Sequence, residues 1–373
     1  MRRPTLLAIP LAALSLTTVV GVGALSTAGA VASPKAAEAS PLVFGHRGAS
    51  GYRPEHTLAA YDLAIRQGAD VIEPDLVSTK DGVLVARHEN EISGTTDVAA
   101  RPEYAARRTT KLIDGAPVTG WFTEDFAFTE LRRLRAKERL PLVREENTIF
   151  DGRYTVPTFD EVLALARQAT RATGRTIAVA PETKHPTYFD SIGLSLEEPL
   201  LRSLKKAGLT RATSPVYVQS FEEANLRDLR ALGAKVAQVQ LTSAGTTARP
   251  YDHVVAGDPQ TYAQMTTTRA GLREIAEYAD VLGPDKAQVL PRTADGTTAA
   301  ASPLVRDAHA VGLEVVPYTV RAENQFLPVQ YRRGTDPNAY GDVLSELADL
   351  YRAGVDGVFA DQPDLARAVR DGS

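Results

Sequence analysis

Between residue 41 and the C-terminus, short apolar runs of β type alternate with segments of helical periodicity. A β-type run over 41–44 ends at 45–48, and a helical pattern over 58–67 precedes another β-type run over 69–77. The same order recurs further along, with a helix inside 156–173 before a strand over 176–183. Repeated strand and helix units predict a parallel sheet with helices packed outside it, as an open sheet or a closed barrel.

Two segments depart from this alternation. The segment 78–82 (STKDG) is too short for a helix and has Asp-Gly at its centre, so it predicts a tight turn between the run 69–77 and the run 83–88. Residues 91–150 contain no clear strand and helix unit, so we expect them to form an insertion.

Composition excludes several classes of site. The net charge of −4 does not suggest a nucleic-acid-binding protein, which would usually carry a basic surface. The chain has no cysteine, which excludes disulfides, thiolate nucleophiles and zinc–thiolate sites. Any metal must therefore be held by oxygen or imidazole, which favours Ca²⁺, Mg²⁺ or Mn²⁺.

The N-terminal segment, residues 1–32, has the features of a signal peptide. Arg2 and Arg3 are followed by an apolar core over 6–16 and by the small-residue sequence Ala30-Val31-Ala32. An uncleaved membrane anchor over 6–25 is the alternative, since that stretch is long enough to be considered. Cleavage would leave a flexible leader, residues 33–40, and a secreted, extracellular protein with no stable insertion in a membrane.

Polar residues follow several of the predicted strands. Glu73 and Asp75 are two residues apart and so point to one face of their strand, and Glu182 and Lys184 repeat this spacing. His46 and His88 each stand at the end of an apolar run. Polar groups at the carboxyl ends of barrel strands converge on one mouth, where active sites of such barrels lie.

These residues have structural as well as functional interpretations. Glu73 and Asp75 could face solvent on a half-exposed strand, and a histidine at a strand end is often structural. Together with Glu182, however, the carboxylates would repel one another unless a cation neutralised them, which predicts a divalent metal site. We interpret the other histidines, His56, His185, His253 and His309, as structural or peripheral.

An ordered series of motifs runs along the chain from about residue 41 to residue 368. The motifs are His46-Arg47-Gly48-Ala49-Ser50-Gly51-Tyr52, Pro54-Glu55-His56-Thr57, Glu73-Pro74-Asp75-Leu76, Thr79-Lys80-Asp81-Gly82, Arg87-His88-Glu89, Pro181-Glu182-Thr183-Lys184, Gln219-Ser220-Phe221, Glu277-Tyr278-Ala279-Asp280, Gly283-Pro284-Asp285, Pro317-Tyr318-Thr319-Val320-Arg321 and Phe359-Ala360-Asp361-Gln362-Pro363-Asp364. In order and spacing this series resembles the glycerophosphodiester phosphodiesterase family, in particular its periplasmic or secreted branch.

The resemblance implies a distorted TIM-type (β/α) barrel over 41–373 with a small insertion, about 91–150, after the third strand. It also implies hydrolysis of deacylated phospholipids to sn-glycerol 3-phosphate and an alcohol. His46 and His88 would do the acid–base work, and Glu73, Asp75 and Glu182 would bind Ca²⁺, with Mg²⁺ as the alternative. The sequence departs from the family pattern at Pro74, between the carboxylates, and at Glu89, where many relatives have Asp.

Four further residues are candidates for substrate binding. Arg47 and Lys184 can donate hydrogen bonds to phosphate oxygens, and Phe221 and Tyr318 can pack against glycerol or simply fill the barrel. The small-molecule diester is the only partner that we expect. Two other functions stay open: a phospholipase-D-like lyase acting on intact lipids, and a non-catalytic glycerophosphodiester-binding protein. The order of the two histidines, and the choice between water and a substrate hydroxyl as nucleophile, also stay open.

Overall fold

The computed structural model describes residues 40–372. The predicted signal peptide, residues 1–32, lies outside the described residues, as does the predicted leader up to residue 39. No helix within 40–372 is both long enough and apolar enough to cross a membrane.

A closed parallel barrel forms the centre of the fold. The strands of the fold are β1 (Leu42–His46), β2 (Val71–Glu73), β3 (Asp75–Ser78), β4 (Leu84–Ala86), β5 (Thr109–Ile113), β6 (Ala116–Gly120), β7 (Ala178–Val179), β8 (Glu182–Thr183), β9 (Tyr217–Ser220), β10 (Ala237–Thr242), β11 (Val281–Pro284), β12 (Glu314–Val315) and β13 (Gly357–Ala360). All except β4, β5 and β6 belong to the barrel.

Parallel pairing runs through two sheets, in the orders β13-β1-β2-β7 and β12-β11-β10-β9-β8-β3. Parallel bridges from Val179 to Val216 and from Val320 to Ala360 connect the two sheets and close the barrel. The predicted TIM-type barrel is therefore confirmed.

Proline interrupts two of the barrel strands. Pro74 separates β2 from β3, and Pro181 lies between β7 and β8. Proline has no N–H to donate to a sheet, so it is rare inside a central strand. Beyond the break, Asp75 pairs with Glu182. The break at Pro74 thus lies where the carboxylates meet.

The turn over 78–82 joins β3 to β4 in an antiparallel hairpin, as the Asp-Gly sequence predicts. Gly82 has φ 74°, a conformation that glycine adopts without strain. Because β4 runs back along β3, His88 comes to lie beside the carboxyl ends of the barrel strands, although β4 is not itself a barrel strand.

Helices surround the barrel. They are α1 (Leu58–Gln67), α2 (Phe128–Leu131), α3 (Phe159–Thr173), α4 (Pro186–Ser191), α5 (Glu197–Ala207), α6 (Glu223–Ala231), α7 (Tyr251–Ala256), α8 (Tyr262–Thr267), α9 (Arg269–Ala276), α10 (Lys286–Val289), α11 (Leu304–His309), α12 (Val343–Arg352) and α13 (Pro363–Gly372). Short 3₁₀ turns cover Val98–Ala100, Pro102–Arg107, Thr123–Asp125, Glu145–Phe150, Asn324–Phe326 and Val329–Tyr331.

The apolar residues form two layers. Alternate residues of the strands point into the barrel and fill it. Among them are Phe44 and Phe359, whose ring centroids are 4.7 Å apart. The residues between them, such as Val43 and Ile72, pack against the helices outside. Because these side chains fill the interior of the barrel, space for a ligand remains at its mouth, at the carboxyl ends of the strands.

Residues 91–150 lie between β4 and α3 and carry the β5–β6 hairpin. Trp121, Phe122 and Phe126 of this segment are buried. The insertion therefore packs through its aromatic side chains and does not present these three to solvent.

Candidate active site

The alternation of the strands brings the predicted polar residues together. Phe44 points into the barrel on β1, so His46, two residues later, points the same way at the mouth. Glu73 follows Val71 on β2 by the same rule, and Glu182 follows Ala180. Three strands thus deliver their polar ends to one place.

The carboxylates of Glu73, Asp75 and Glu182 form a buried cluster. One oxygen from each lies within 4.8 Å of the others. The Arg47 backbone N–H donates to Glu73 Oε2 (2.7 Å), and Gln219 Nε2 donates to Glu73 Oε1 (3.1 Å). These contacts orient Glu73 towards the cluster.

This cluster suits a hard divalent cation. Burial, together with the charges of Asp75 and Glu182, raises the pKa of Glu73 well above its usual range. Burial likewise raises the pKa of Glu182 to about 8, against the charge of Lys184. Asp75 Oδ1 has no hydrogen-bond partner among residues 40–372. A bound cation would keep all three groups ionised and would use the unpaired oxygen.

The carboxylate of Asp361 orients the His46 ring through its Nδ1 atom. His46 Nδ1 lies 2.6 Å from Asp361 Oδ1, and Arg144 and Arg321 donate to Asp361 Oδ2 at 2.6 and 3.0 Å. Burial alone would raise the pKa of Asp361, but the charges of Arg144 and Arg321 hold it well below its usual range. Burial and the charge of Arg47 lower the pKa of His46 to about 4. The imidazole is therefore neutral near pH 7, with its proton on the nitrogen that faces Asp361.

His88 has a similar arrangement. Its Nδ1 lies 2.5 Å from Glu89 Oε1, and its Nε2 lies 3.4 Å from Lys184 Nζ. Burial and the charges of Arg47 and Lys184 lower the pKa of His88 well below its usual range. The carboxylate of Glu89 thus reaches the ring.

A cavity of about 210 Å³ lies between these groups. Both histidines line it, together with Glu73, Glu182 and Arg47. Its other lining residues are Gln219, Phe221, Leu241, Asp285, Lys286, Tyr318, Thr319, Arg321, Phe326 and Phe359.

The two predicted aromatic residues form one wall of the cavity. The ring centroids of Phe221 and Tyr318 are 5.8 Å apart in an edge-to-face arrangement. The Tyr318 hydroxyl donates to the Thr242 carbonyl (3.1 Å), which leaves the ring as the surface beside the cavity.

The two predicted cationic residues already have carboxylate partners. Arg47 NH1 donates to Glu55 Oε2 (2.9 Å), and Lys184 Nζ donates to Glu182 Oε1 (2.7 Å). Both side chains are nearly buried. They therefore supply fixed positive charge beside the cavity.

The turn after β1 places Arg47. Arg47 itself has φ 57°, and Gly48 has φ 87°. A Cβ on Gly48 would lie within 2.8 Å of atoms of Ala60 on α1, so only glycine fits this close approach. The turn is what allows the Arg47 N–H to reach Glu73.

Some of the site was not predicted. His56 was interpreted as structural or peripheral, but its Nε2 lies 2.8 Å from Asp75 Oδ2 and its Nδ1 lies 2.8 Å from the Tyr61 hydroxyl. It therefore orients one of the clustered carboxylates. Arg144 was not identified, because nothing in its local sequence connects it with Asp361.

Known proteins with similar sequences point to the same chemistry. The sequence model of the Glycerophosphoryl diester phosphodiesterase family matches residues 46–365. The chain is 33% identical to glycerophosphodiester phosphodiesterase GDPD6 of Arabidopsis thaliana, over 86% of this chain and 83% of the relative. It is 29% identical to the glycerophosphodiester phosphodiesterase of Haemophilus influenzae, over 87% and 88% of the two chains.

Solved structures share the fold. An Oleispira antarctica phosphodiesterase, solved in complex with the product sn-glycerol-3-phosphate, superposes with a TM-score of 0.55 at 20% identity, covering 89% of this chain and 97% of that one. The family match extends over most of the described residues and includes both histidines and all three carboxylates. This chain therefore belongs to the glycerophosphoryl diester phosphodiesterase family and is a phosphoric diester hydrolase.

Proposed function

We propose that this enzyme hydrolyses glycerophosphodiesters to sn-glycerol 3-phosphate and an alcohol in a metal-dependent reaction with two histidines as acid and base. One observation carries the proposal. Each imidazole has Nδ1 against a carboxylate and lines the cavity, which Glu73 and Glu182 also line. The product in the Oleispira structure supports the choice of substrate class.

Glu73, Asp75 and Glu182 would hold the cation. When bound, it would withdraw negative charge from the phosphate and orient the diester. We expect Ca²⁺ first, because it accepts carboxylate ligands in flexible geometry, and Mg²⁺ as the alternative.

The histidines would move the protons. With Nδ1 held by a carboxylate, each ring would turn Nε2 to the substrate, and His88 would exchange its contact with Lys184 Nζ for one with the diester. One Nε2 takes a proton from the nucleophile, and the other imidazole gives one to the leaving alkoxide. That second imidazole must carry the proton before the step, which the negative charge of the bound diester favours against the effect of burial. Arg47 and Lys184 donate to the remaining phosphate oxygens, and Phe221 and Tyr318 pack against the glycerol.

Two nucleophiles are compatible with this arrangement. Either water attacks directly, or the neighbouring hydroxyl of the glycerol attacks first and gives a cyclic phosphate. Detection of a cyclic glycerophosphate by ³¹P NMR during turnover distinguishes the second route.

The insertion argues against an enzyme that acts on intact lipids. Such an enzyme needs an apolar surface at the mouth. Of the four insertion aromatics that could supply it, Trp121, Phe122 and Phe126 are buried and Phe128 is half-buried. The exposed large apolar side chains of the insertion are the three aliphatic ones of Leu112, Leu142 and Ile149. Phosphatidylcholine should therefore be a much poorer substrate than glycerophosphocholine.

Export is a separate proposal. Residues 1–32 have the charge, the apolar core and the small-residue end of a signal peptide, so we propose a secreted enzyme. The N-terminal sequence of protein recovered from the medium of producing cells tests this, and an intact residue 1 would contradict it.

The central experiment is glycerophosphocholine hydrolysis with and without chelator, read as release of glycerol 3-phosphate. We expect no turnover in excess EDTA and recovery on adding Ca²⁺. Full turnover by dialysed enzyme in EDTA would overturn the metal-dependent mechanism.

A further inference from the structure

The tip of the inserted β5–β6 hairpin reaches the active site through a half-buried histidine, His185. Asp114 and Gly115 form the turn of this hairpin, and Asp114 Oδ2 lies 2.6 Å from His185 Nδ1. His185 immediately precedes α4 and follows Lys184. Two segments that are 71 residues apart in sequence are thus joined beside the mouth of the barrel.

The contacts continue to His88. His185 Nε2 lies 3.4 Å from Glu89 Oε2, while Glu89 Oε1 lies 2.5 Å from His88 Nδ1. Each oxygen of Glu89 therefore faces a different imidazole. The order of contacts runs from Asp114 through His185 and Glu89 to His88, whose other nitrogen, Nε2, lies 3.4 Å from Lys184 Nζ.

The two residues of the contact furthest from His88, Asp114 and His185, have unusual backbone conformations. Asp114 has φ 47° and His185 has φ 52°. Left-handed conformations are uncommon for residues other than glycine, and they occur preferentially at functional sites. At Asp114 the conformation suits the tight turn of a hairpin with Gly115. At His185 no hairpin requires it, but it leaves the ring between two carboxylates.

The charge of His185 allows it to bind both Asp114 and Glu89. Burial alone would lower the pKa of His185, but the hydrogen bonds with Asp114 and Glu89 raise it to about 9. The ring is therefore protonated at neutral pH and donates from both nitrogens. The charge of Lys184 opposes this rise in the pKa of His185, and Arg139 NH1 lies 3.8 Å from Glu89 Oε1. Glu89 is thus held by cations on more than one side.

We propose that Asp114 and His185 are positioning residues, which orient Glu89 and through it the imidazole of His88. The inference rests on the proposed role of His88 as an acid or base. It gives the insertion a part in catalysis: its hairpin holds a proton-transfer group at the mouth of the barrel in place without touching the substrate.

Two substitutions of Asp114 test the proposal without destroying the turn. Asp114→Gly keeps a residue that accepts a positive φ but removes the carboxylate, whereas Asp114→Asn keeps an oxygen that can accept from His185 Nδ1. We expect Asp114→Gly to lower kcat about tenfold or more, as loss of an outer partner usually does, with little change in KM. Asp114→Asn should recover most of this loss.

Leu112→Ala is the matched control. Leu112 lies on the same hairpin with its side chain 65% exposed, so its truncation should leave kcat and the midpoint of thermal unfolding unchanged. His185→Asn is a second test, since asparagine tolerates positive φ but is too short to span Asp114 and Glu89. It should reproduce the loss in kcat.

A double-mutant cycle identifies the route of the effect. If Asp114 acts through His88, adding Asp114→Gly to the His88→Ala variant should hardly lower its residual kcat further. A wild-type kcat in Asp114→Gly, or an equal loss in both backgrounds, would overturn the inference. If His88→Ala itself kept the wild-type kcat, the proposed function would fail instead, so the two failures are distinguishable.

Discussion

Replacement of Asp361 by Asn should inactivate His46 with almost no change in side-chain shape. In the structure Oδ2 of Asp361 accepts from Arg144 and Arg321, and Oδ1 faces His46 Nδ1. Because the two guanidinium groups need an acceptor, the amide oxygen of Asn should take the Oδ2 position. The amide nitrogen then donates to His46 Nδ1 and moves the ring proton to Nε2, on the side of the substrate.

The size of the effect follows from two contributions. A hydrogen bond to a charged group contributes about 1.5–3 kcal/mol, which corresponds to a factor of roughly 10–10² in rate. Reversal of the tautomer adds to this loss, and in serine proteases the equivalent change costs about 10⁴ in kcat. We therefore expect kcat to fall by about 10²–10⁴. KM should change little, since Asp361 does not line the cavity.

The assay is release of glycerol 3-phosphate from glycerophosphocholine at saturating substrate. Glu323→Gln is the control, because Glu323 accepts from Arg144 (2.6 Å) but has no contact with His46. It perturbs the same buried ion pairs and should keep far more of the activity than Asp361→Asn. A correctly folded Asp361→Asn enzyme with kcat within about threefold of the wild type would refute the tautomer argument.

Three further predictions concern the metal, the histidines and the substrate. Replacing Glu73, Asp75 or Glu182 by Ala should abolish activity and Ca²⁺ binding in calorimetry while the circular dichroism spectrum is kept; a variant that binds Ca²⁺ normally would exclude its residue as a ligand. His46→Ala and His88→Ala should each lower kcat by about 10² or more and leave substrate bound, and the wild-type pH–rate profile should be bell-shaped. Near wild-type kcat in either variant would make that histidine structural. Choline, ethanolamine and glycerol diesters should differ in kcat/KM by less than about 30-fold, since one modest contact is worth roughly 1–2 kcal/mol. A preference above about a hundredfold would show a dedicated head-group pocket.

Local sequence was enough to predict the central part of the site. Glu73 and Asp75 share a face because side chains alternate along a strand, and the same period relates Ala180, Glu182 and Lys184. The alternation of strands and helices predicted that these ends would meet at one mouth. Such inferences need only the geometry of single elements and the parallel arrangement of their strands.

Contacts between distant segments could not be predicted in this way. Asp361 and His46 are 315 residues apart, and their pairing exists because β13 lies beside β1 in the closed barrel. Arg144 reaches Asp361 from the insertion, whose path no periodic pattern describes. The local sequence left His56 as structural or peripheral, because its partner, Asp75, lies on another element.

The sequence by itself therefore determined the fold class, the family and the residues that point into the mouth. The tertiary structure decided which carboxylate holds His46 and which residues the insertion brings to the site. The physical reason is that strand and helix periodicity depends on neighbours a few residues away, whereas the orientation of an imidazole depends on hydrogen-bond partners that only chain closure and loop packing bring within about 3 Å.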